Sequence, residues 1–459
     1  MKNVIFLGFG LFLIGTVVSA QKSFSLAEAV RYAESNSKSL DLQRLDIQDA
    51  NDLMTEYRSI GMPKLTGGVG YTHFVDIPTS ILPDFISPSV YEVLFKENLL
   101  QRRDIDYGKG IPAQFGTKNN LTAKLDFSTL LFDGSFFVGL KAQKMYKELI
   151  EKQINQSAAD VRYQVTKSYL AASAVEASLQ MIDKNIENLS KLTREVSAIY
   201  KAGLTENLDV ERLELSRQNL DVEREKLVRL YEITKNVLKY QMSYPLKDSI
   251  TLSQTFDELS RAYYIQTLDP SIRLDISKRP EYSVMDQGRK LAEINIKRYQ
   301  MSYYPSLSGF ASAQRILQRN DLFNGNENKW FPTTLVGLNL NVPIFDGLDR
   351  KAKISKAKTL LERTNKQMSE FERGISLAFE NAKTQYLNAL NTYEARKKTL
   401  ALAEKIYKTS QVKFKEGVGS SLEVSASERD LYSAQANVLD AQSALIQARV
   451  ELDKAMGAL

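Results

Sequence analysis

Apolar residues recur along two long stretches of this chain at a spacing that only a packed helix uses. Ala158, Val165, Ala172, Leu179 and Ile186 lie seven apart. Ile154, Val161, Val175, Ile182, Leu189 and Val196 form a second seven-residue series, with Ser168 in its gap. Such a 3/4 alternation, held over six heptads, predicts coiled-coil packing. Proline is absent from 113–244 and glycine from 140–202, so Ser135 to Tyr200 reads as one helix, about 100 Å long at about 1.5 Å per residue. Proline is also absent from 344–459. There Leu431, Val438, Leu445 and Leu452 alternate with Ala434, Ala441, Ala448 and Ala455, and alanine lets helix axes approach closely. Tyr393, Leu400, Tyr407 and Phe414 continue the seam upstream.

A different period interrupts the helices. In "LTAKLDFST", Leu121, Ala123, Leu125 and Phe127 alternate with Thr122, Lys124, Asp126 and Ser128. In "VGLNLNV", Val336, Leu338, Leu340 and Val342 alternate with Gly337, Asn339 and Asn341. Period two with one apolar face predicts strands that meet two different solvents. "KLTGGVGYTHFV" and "PSLSGFASAQRI" are weaker strand candidates, rich in Gly and Ser. A small soluble sheet would satisfy the same pattern, but little of the chain is left to cover its apolar face. Four strands are too few to close a transmembrane barrel, and a bilayer leaves no open edge unsatisfied, so closure would need several chains. Between the first two strands lies a loop, 78–116; a shorter one surrounds "QRNDLFNGNENKW". Trp330 and Phe331 suit an interfacial aromatic belt, or are ordinary packed residues.

The pattern occurs twice. "YKAGLTENLDVERLELSRQNL" is echoed by "FKEGVGSSLEVSASERDLYSAQ", and Gly203 and Gly417 each end a long helix before another begins. Each phrase therefore predicts the tip of an αα-hairpin capped by a left-handed glycine. "LLFDGS" pairs with "PIFDGL", and Pro63 with Pro305. Each half reads helix, strand, loop, strand, long helix, tip, helix: one large unit copied once. The expected divisions are an export signal at 1–20, a first repeat at 21–245, an irregular connecting segment at 246–270 and a second repeat at 271–459.

Composition narrows the chemistry. There are 459 residues, no cysteine and one histidine, His73, which leaves little for Cys/His metal sites, thiol chemistry or histidine catalysis. The formal charge of +6 comes from interspersed acids and bases, the mark of solvated faces more than of a nucleic-acid footprint. Lys2, the apolar run "VIFLGFGLFLIGTVV" and "VSA" at 18–20 form a secretory signal pattern, with cleavage expected after Ala20. No later run is long and apolar enough to span a bilayer as a helix.

Several phrases together resemble the TolC family of bacterial outer-membrane efflux proteins along nearly the whole mature length. They are "FSLAEAVRYAESNSKSLDLQRLD", "RPEYSVMDQGRKLAEINIKRYQMSYYPSLSGFAS", "NVPIFDGLDRKAKISKAK" and the second tip, "KFKEGVGSSLEVSASERDL". The resemblance implies a mainly α protein with a membrane β-barrel. Three copies would pool four strands each into a shared twelve-stranded barrel and their long α-hairpins into a periplasmic tunnel. It implies as partners a homotrimer, outer-membrane lipid, a periplasmic adaptor docked on the tips and an inner-membrane pump that supplies the energy. It implies no cofactor, no nucleic acid and no catalysis. On this reading the docking residues are Gly203, Leu204, Thr205, Leu208, Gly417, Val418, Gly419 and Leu422. Asp209 and Glu423, at equivalent places in the two repeats, would form an acidic pore constriction; equally, both are acids at a helix start, favoured by its macrodipole. The chain departs from family members with a well-described closed tip at Gly419 and Phe414, which replace Arg and Tyr, and at Ala426, which replaces an acid.

Two other export-linked functions compete. A structural or adhesive coiled-coil protein of the cell surface explains the heptads but not the two-solvent strands. A periplasmic adaptor has one helical hairpin and soluble β-modules, whereas this chain has two hairpins. An enzyme is less supported still, since no Gly-rich phosphate loop or Ser/His/Asp set stands out.

Overall fold

The computed structural model describes residues 22–83, 86–105, 110–264, 273–321 and 329–458; the expected export signal at 1–20 lies outside them. The first half runs β1 (Lys22–Phe24), α1 (Leu26–Asn36), α2 (Lys38–Ser59), β2 (Lys64–His73), β3 (Thr79–Leu82), α3 (Ile86–Lys96), β4 (Ile111–Gln114), β5 (Asn119–Phe132), α4 (Gly134–Lys201) and α5 (Asn207–Gln241). Then come β6 (Ile250–Leu252), α6 (Phe256–Tyr264), α7 (Pro280–Met301), β7 (Ser306–Arg319), β8 (Trp330–Asn341), α8 (Asp349–Lys415) and α9 (Ser421–Met456). The long helix predicted from the heptads is there, at 68 residues. Its counterpart α8 has 67. The duplication is visible in the order helix, strand, strand, long helix, helix on both sides of α6.

The chain divides into two units, one of residues 1–51, 145–292 and 359–459, the other of 52–144 and 293–358. The second holds a four-stranded antiparallel sheet in the order β2-β5-β7-β8, so the two repeats join at β5 and β7. Register aligns one apolar face: Leu65 opposes Phe127, Val69 opposes Ala123, Phe127 opposes Ala311, and Ala311 opposes Val336. Val336 is 81% exposed, and Val69, Leu338 and Leu340 are also exposed. The other face carries Thr122, Lys124, Asp126 and Ser312, with Ser312 Oγ donating to Asp126 Oδ1 at 2.6 Å. Both edge strands, β2 and β8, have one neighbour only in this sheet. His73 ends β2, with its Nδ1 2.7 Å from Asn119 Oδ1. Trp330 opens β8 opposite Leu317 and is half-buried.

The repeated "FDG" phrase has a local cause. Asp133 Oδ1 accepts from the backbone N–H of Ser135 (2.8 Å) and Phe136 (3.0 Å), satisfying two of the orphan donors at the start of α4. Asp346 Oδ2 accepts from the Arg350 N–H at 3.0 Å, satisfying one such donor at the start of α8. A strand is thus turned into a helix twice by the same residue.

In the first unit the heptad seams turn inward, with Ile154, Ala158, Val161, Val175, Leu179 and Ile186 of α4 half-buried and the rest of that series fully so. Val165, Ala172, Ile182, Leu189 and Val196 of α4 are all inside, as are seven of the eight alternating α9 positions from Leu431 to Ala455, with Val438 partly so. Fully covered side chains such as Leu189 and Leu452 each contribute about 1.5–3 kcal/mol. The main cluster joins Phe24, Ala29, Tyr169, Leu238, Ile250, Phe256, Ile446 and Val450, and Tyr169 Oη donates to the Phe24 carbonyl at 2.8 Å. Burial pushes the Tyr169 phenol up to about 12.

Two expectations need correction. The 246–270 segment is not irregular throughout: β6 pairs in parallel with β1, and α6 buries Phe256 and Leu259. Both elements are short, three and nine residues, so their periodicity was too brief to register. The 78–116 loop holds α3 and a two-stranded ladder, β3 with β4. Pro78, Pro83, Pro88 and Pro112 punctuate it, which hid the short elements between them.

Candidate functional site

The two hairpin turns use one backbone solution. Gly203 and Gly417 both take positive φ, +74° and +73°. Behind each, a pair of backbone bonds closes the last helical turn. Leu204 N–H donates to the Ile199 carbonyl (3.1 Å) and Gly203 N–H to that of Tyr200 (2.8 Å). Val418 N–H donates to the Lys413 carbonyl (3.0 Å) and Gly417 N–H to that of Phe414 (3.1 Å). This is the Schellman arrangement, and it needs a left-handed residue at the glycine. A Cβ at either glycine would meet nothing within 4 Å, so torsion alone selects glycine there and the space outside stays open.

Gly419 has a different reason. A Cβ there would sit 2.9 Å from Lys413 Cβ and 3.1 Å from the Phe414 nitrogen, so backbone proximity selects glycine. Around these turns the apolar residues stand in water. Leu204 and Val418 are each 78% exposed, and Leu208 and Leu422 are exposed as well.

The polar residues of the two tips are not placed alike. Thr205 Oγ1 donates to Asp209 Oδ2, and Ser421 Oγ, from the other hairpin, donates to Asp209 Oδ1. Ser421 Oγ in turn accepts from Arg212 Nη1 at 3.3 Å. Partial burial acts to raise the Asp209 carboxyl, but the hydrogen bonds from Ser421 and Thr205, with Arg212 nearby, outweigh it and hold the group below its ordinary 3.8. Glu423 lies exposed in the first turn of α9, 3.3 Å from Lys413 Nζ. Its own N–H donates to the Ser420 N-cap at 3.2 Å. The fold therefore joins Asp209 to the opposite tip and pairs Glu423 with a lysine of its own hairpin. A further ion pair, Lys415 Nζ to Glu195 Oε2 at 2.9 Å, also ties the second hairpin to the first.

One group near the tips escaped notice in the sequence. Glu428 is 1% exposed, and its Oε1 accepts from Tyr432 Oη at 2.9 Å and Tyr407 Oη at 3.4 Å. The signal was present: Val424, Glu428 and Leu431 fall at i, i+4 and i+7, which puts the carboxylate in an apolar stripe. Among the described residues no cluster of His, Cys, Asp and Glu could hold a metal ion, and no helix is long and apolar enough to cross a membrane.

Residues 273–458 match the profile of the outer membrane efflux protein family. The chain is 23% identical over 298 residues to the probable efflux pump outer membrane protein TtgC of Pseudomonas putida, which is 64% of this chain and 59% of that relative's length. It is 21% identical over 438 residues to the toluene efflux pump outer membrane protein TtgF of Pseudomonas putida, covering 94% of this chain and 83% of the relative. Among solved structures, CusC superposes with a TM-score of 0.69 at 16% identity, over 95% of this chain and 92% of that one. The open state of the Neisseria gonorrhoeae MtrE outer membrane channel gives 0.66 at 16% identity, over 94% and 88%.

Proposed function

The chain belongs to the outer membrane efflux protein family, and from that premise we propose that it is the passive outer-membrane duct of a tripartite export system, working as a homotrimer docked to a periplasmic adaptor and an inner-membrane pump. It resides in the outer membrane, with its helical part in the periplasm. The observation that carries the functional reading is the four-stranded sheet, mainly apolar and exposed on one face, where Arg315 is the exception, mainly polar on the other, where Phe310, Phe331 and Leu335 are, and open at both edges. Lipid takes the apolar face and the conduit the polar one. The open edges of β2 and β8 are satisfied by neighbouring copies, since unpaired edges are not tolerated in hydrocarbon. Twelve strands from three copies make the barrel.

The tips are the docking points. Open space beside Gly203 and Gly417, and the exposed Leu204, Val418, Leu208 and Leu422, suit close approach by a partner's backbone and apolar side chains. Thr205 and Gly419 shape the two turns. Asp209 and Glu423 line the narrow end of the duct. The protein performs no catalysis; it contributes a shaped passage. The test is purification in detergent, native mass spectrometry and planar-bilayer recording. A trimer that conducts is expected; a monomer that conducts alone overturns the reading.

A further inference from the structure

We propose that Glu428 is a proton-binding site inside the helix packing behind the second tip, and that its protonation holds α8 and α9 together while its ionisation loosens them. The inference stands on the packing of this hairpin, and only the trimer used in its test rests on the conduit reading.

The carboxyl is enclosed. Tyr407 faces it from α8, and Tyr432 from its own helix, each through a phenol hydroxyl. From α4 the Asn185 main-chain carbonyl lies 3.5 Å from Tyr432 Oη, one turn before the buried Leu189. From α5, Leu213 closes the neighbouring cluster with Val424. Among the described residues, the titratable groups acting on the carboxyl are those two tyrosines, and no lysine, arginine or histidine offsets a charge there. Oε2 is buried with no hydrogen-bond partner, and so is Ser425 Oγ, one turn earlier on the same helix.

A charge placed there would leave one carboxylate oxygen dry and unpaired, which a low-dielectric interior penalises steeply. The neutral acid fits better. With its proton on Oε1, it donates to Tyr432 Oη, and the Tyr432 O–H is released to the Asn185 carbonyl. Burial accordingly pushes the Glu428 carboxyl above its ordinary 4.5, and the hydrogen bonds from Tyr432 and Tyr407 pull it part of the way back.

The sign follows from that direction. Below 4.5 the group is neutral in both packed and loosened hairpins, and the packing has its full strength. As the pH rises beyond 4.5 the loosened form ionises first and is favoured, until the packed form ionises as well. The hairpin behind the tip is therefore firmest in acid and loosens as the pH rises above 4.5, until the packed carboxyl itself ionises.

The test uses the full-length trimer in detergent and hydrogen-exchange mass spectrometry of peptides spanning 400–434. Protection is corrected for the intrinsic pH dependence of exchange and followed from about pH 5 to about pH 9. In the wild type, protection should fall with rising pH by at most about tenfold per unit, the slope of one proton. Glu428→Gln, uncharged at every pH, should abolish that fall with the trimer intact by native mass. Tyr432→Phe removes a bond that lowers the carboxyl's pKa, so the fall should move to higher pH. The proposal is overturned if wild-type protection is independent of pH, if the Gln variant keeps the wild-type slope, or if the Phe variant leaves the transition in place.

Discussion

Asp209, in the first hairpin, accepts a hydrogen bond from Ser421, in the second, so one side-chain contact joins residues 212 apart in sequence at the two tips. Each partner stands at the start of a returning helix, Asp209 in the first turn of α5 and Ser421 as the first residue of α9. The contact therefore fixes how the two turns present their glycines. Arg212, donating to the same serine, extends it by one residue.

Ser421→Ala should loosen this junction without unfolding the hairpins. A hydrogen bond to a partly exposed carboxylate is worth about 1 kcal/mol. The expected result is a fall in thermal stability of that order and more frequent or longer openings in single-channel records. Because the folded pKa of Asp209 is depressed, its contribution is complete above the ordinary 3.8 and is lost as the pH falls below that through the folded value. Acid titration of the wild type and of Ser421→Ala should therefore converge at low pH. Curves that stay parallel and apart down to the acid limit would show that the cost of the substitution does not come from the ionised Asp209, and curves that coincide throughout that the bond contributes nothing.

The glycines make a contrast that separates torsion from contact. Gly417→Ala meets no atom, so its cost is the left-handed backbone alone, about 1–2 kcal/mol. Gly417→Asn should cost less, since asparagine visits that region. Gly419→Ala collides with Lys413 and Phe414 and should disturb the turn at least as much, although its φ is not positive. Gly417→Trp should keep the trimer and abolish capture of the adaptor. Capture unchanged in both Gly203→Trp and Gly417→Trp would place the docking surface elsewhere.

Much of this was legible because the chain repeats itself. The Val165 to Val196 seam and the alanine ladder of α9 were readable from spacing, since a heptad sustained over many turns leaves few alternatives. Gly203 and Gly417 were readable because a left-handed cap has few occupants. The pairing of Asp209 with Ser421 was not, because sequence equivalence between repeats does not fix tertiary surroundings: Asp209 reaches across to the other hairpin while its counterpart Glu423 meets Lys413. The strand and helix between 246 and 270 were missed for want of length. Glu428 was missed because a charged residue in an apolar stripe is easily passed over as one more solvated acid.

Closure of the barrel by neighbouring copies can be read with engineered cysteines, because the native chain has none to interfere. One cysteine is placed in β2 between Leu65 and Gly70, and one in β8 between Val336 and Leu340. Both strands have a free edge in the isolated sheet. Adjacent antiparallel strands bring opposed residues to disulfide distance, about 5.5 Å between Cα atoms. Oxidation of some register in this scan should give a covalent ladder ending at three chains on a denaturing gel. A scan yielding monomers at every register would refute edge-to-edge assembly.

The acid pair proposed for the duct's narrow end makes the last prediction, and the structure places its two members unequally. Three copies would bring six carboxylates together, and a ring of carboxylates is a device for cation selectivity. Glu423 is exposed and pairs with Lys413 at 3.3 Å. Asp209 is half-buried and bound by Ser421 and Thr205, so its charge is held in place by neutral donors. Glu423→Gln should therefore lower cation preference modestly, because the lysine already offsets part of that charge. Lys413→Gln should do the reverse and raise it, an effect that a purely structural role for Glu423 does not produce. Asp209→Asn should lower cation preference and also increase opening, since it weakens the junction with the second tip. Reversal potentials in asymmetric salt, with block by a trivalent cation, separate these outcomes. If Glu423→Gln and Lys413→Gln both leave the reversal potential unchanged, Glu423 serves only the start of α9 and the constriction is not electrostatic at that position.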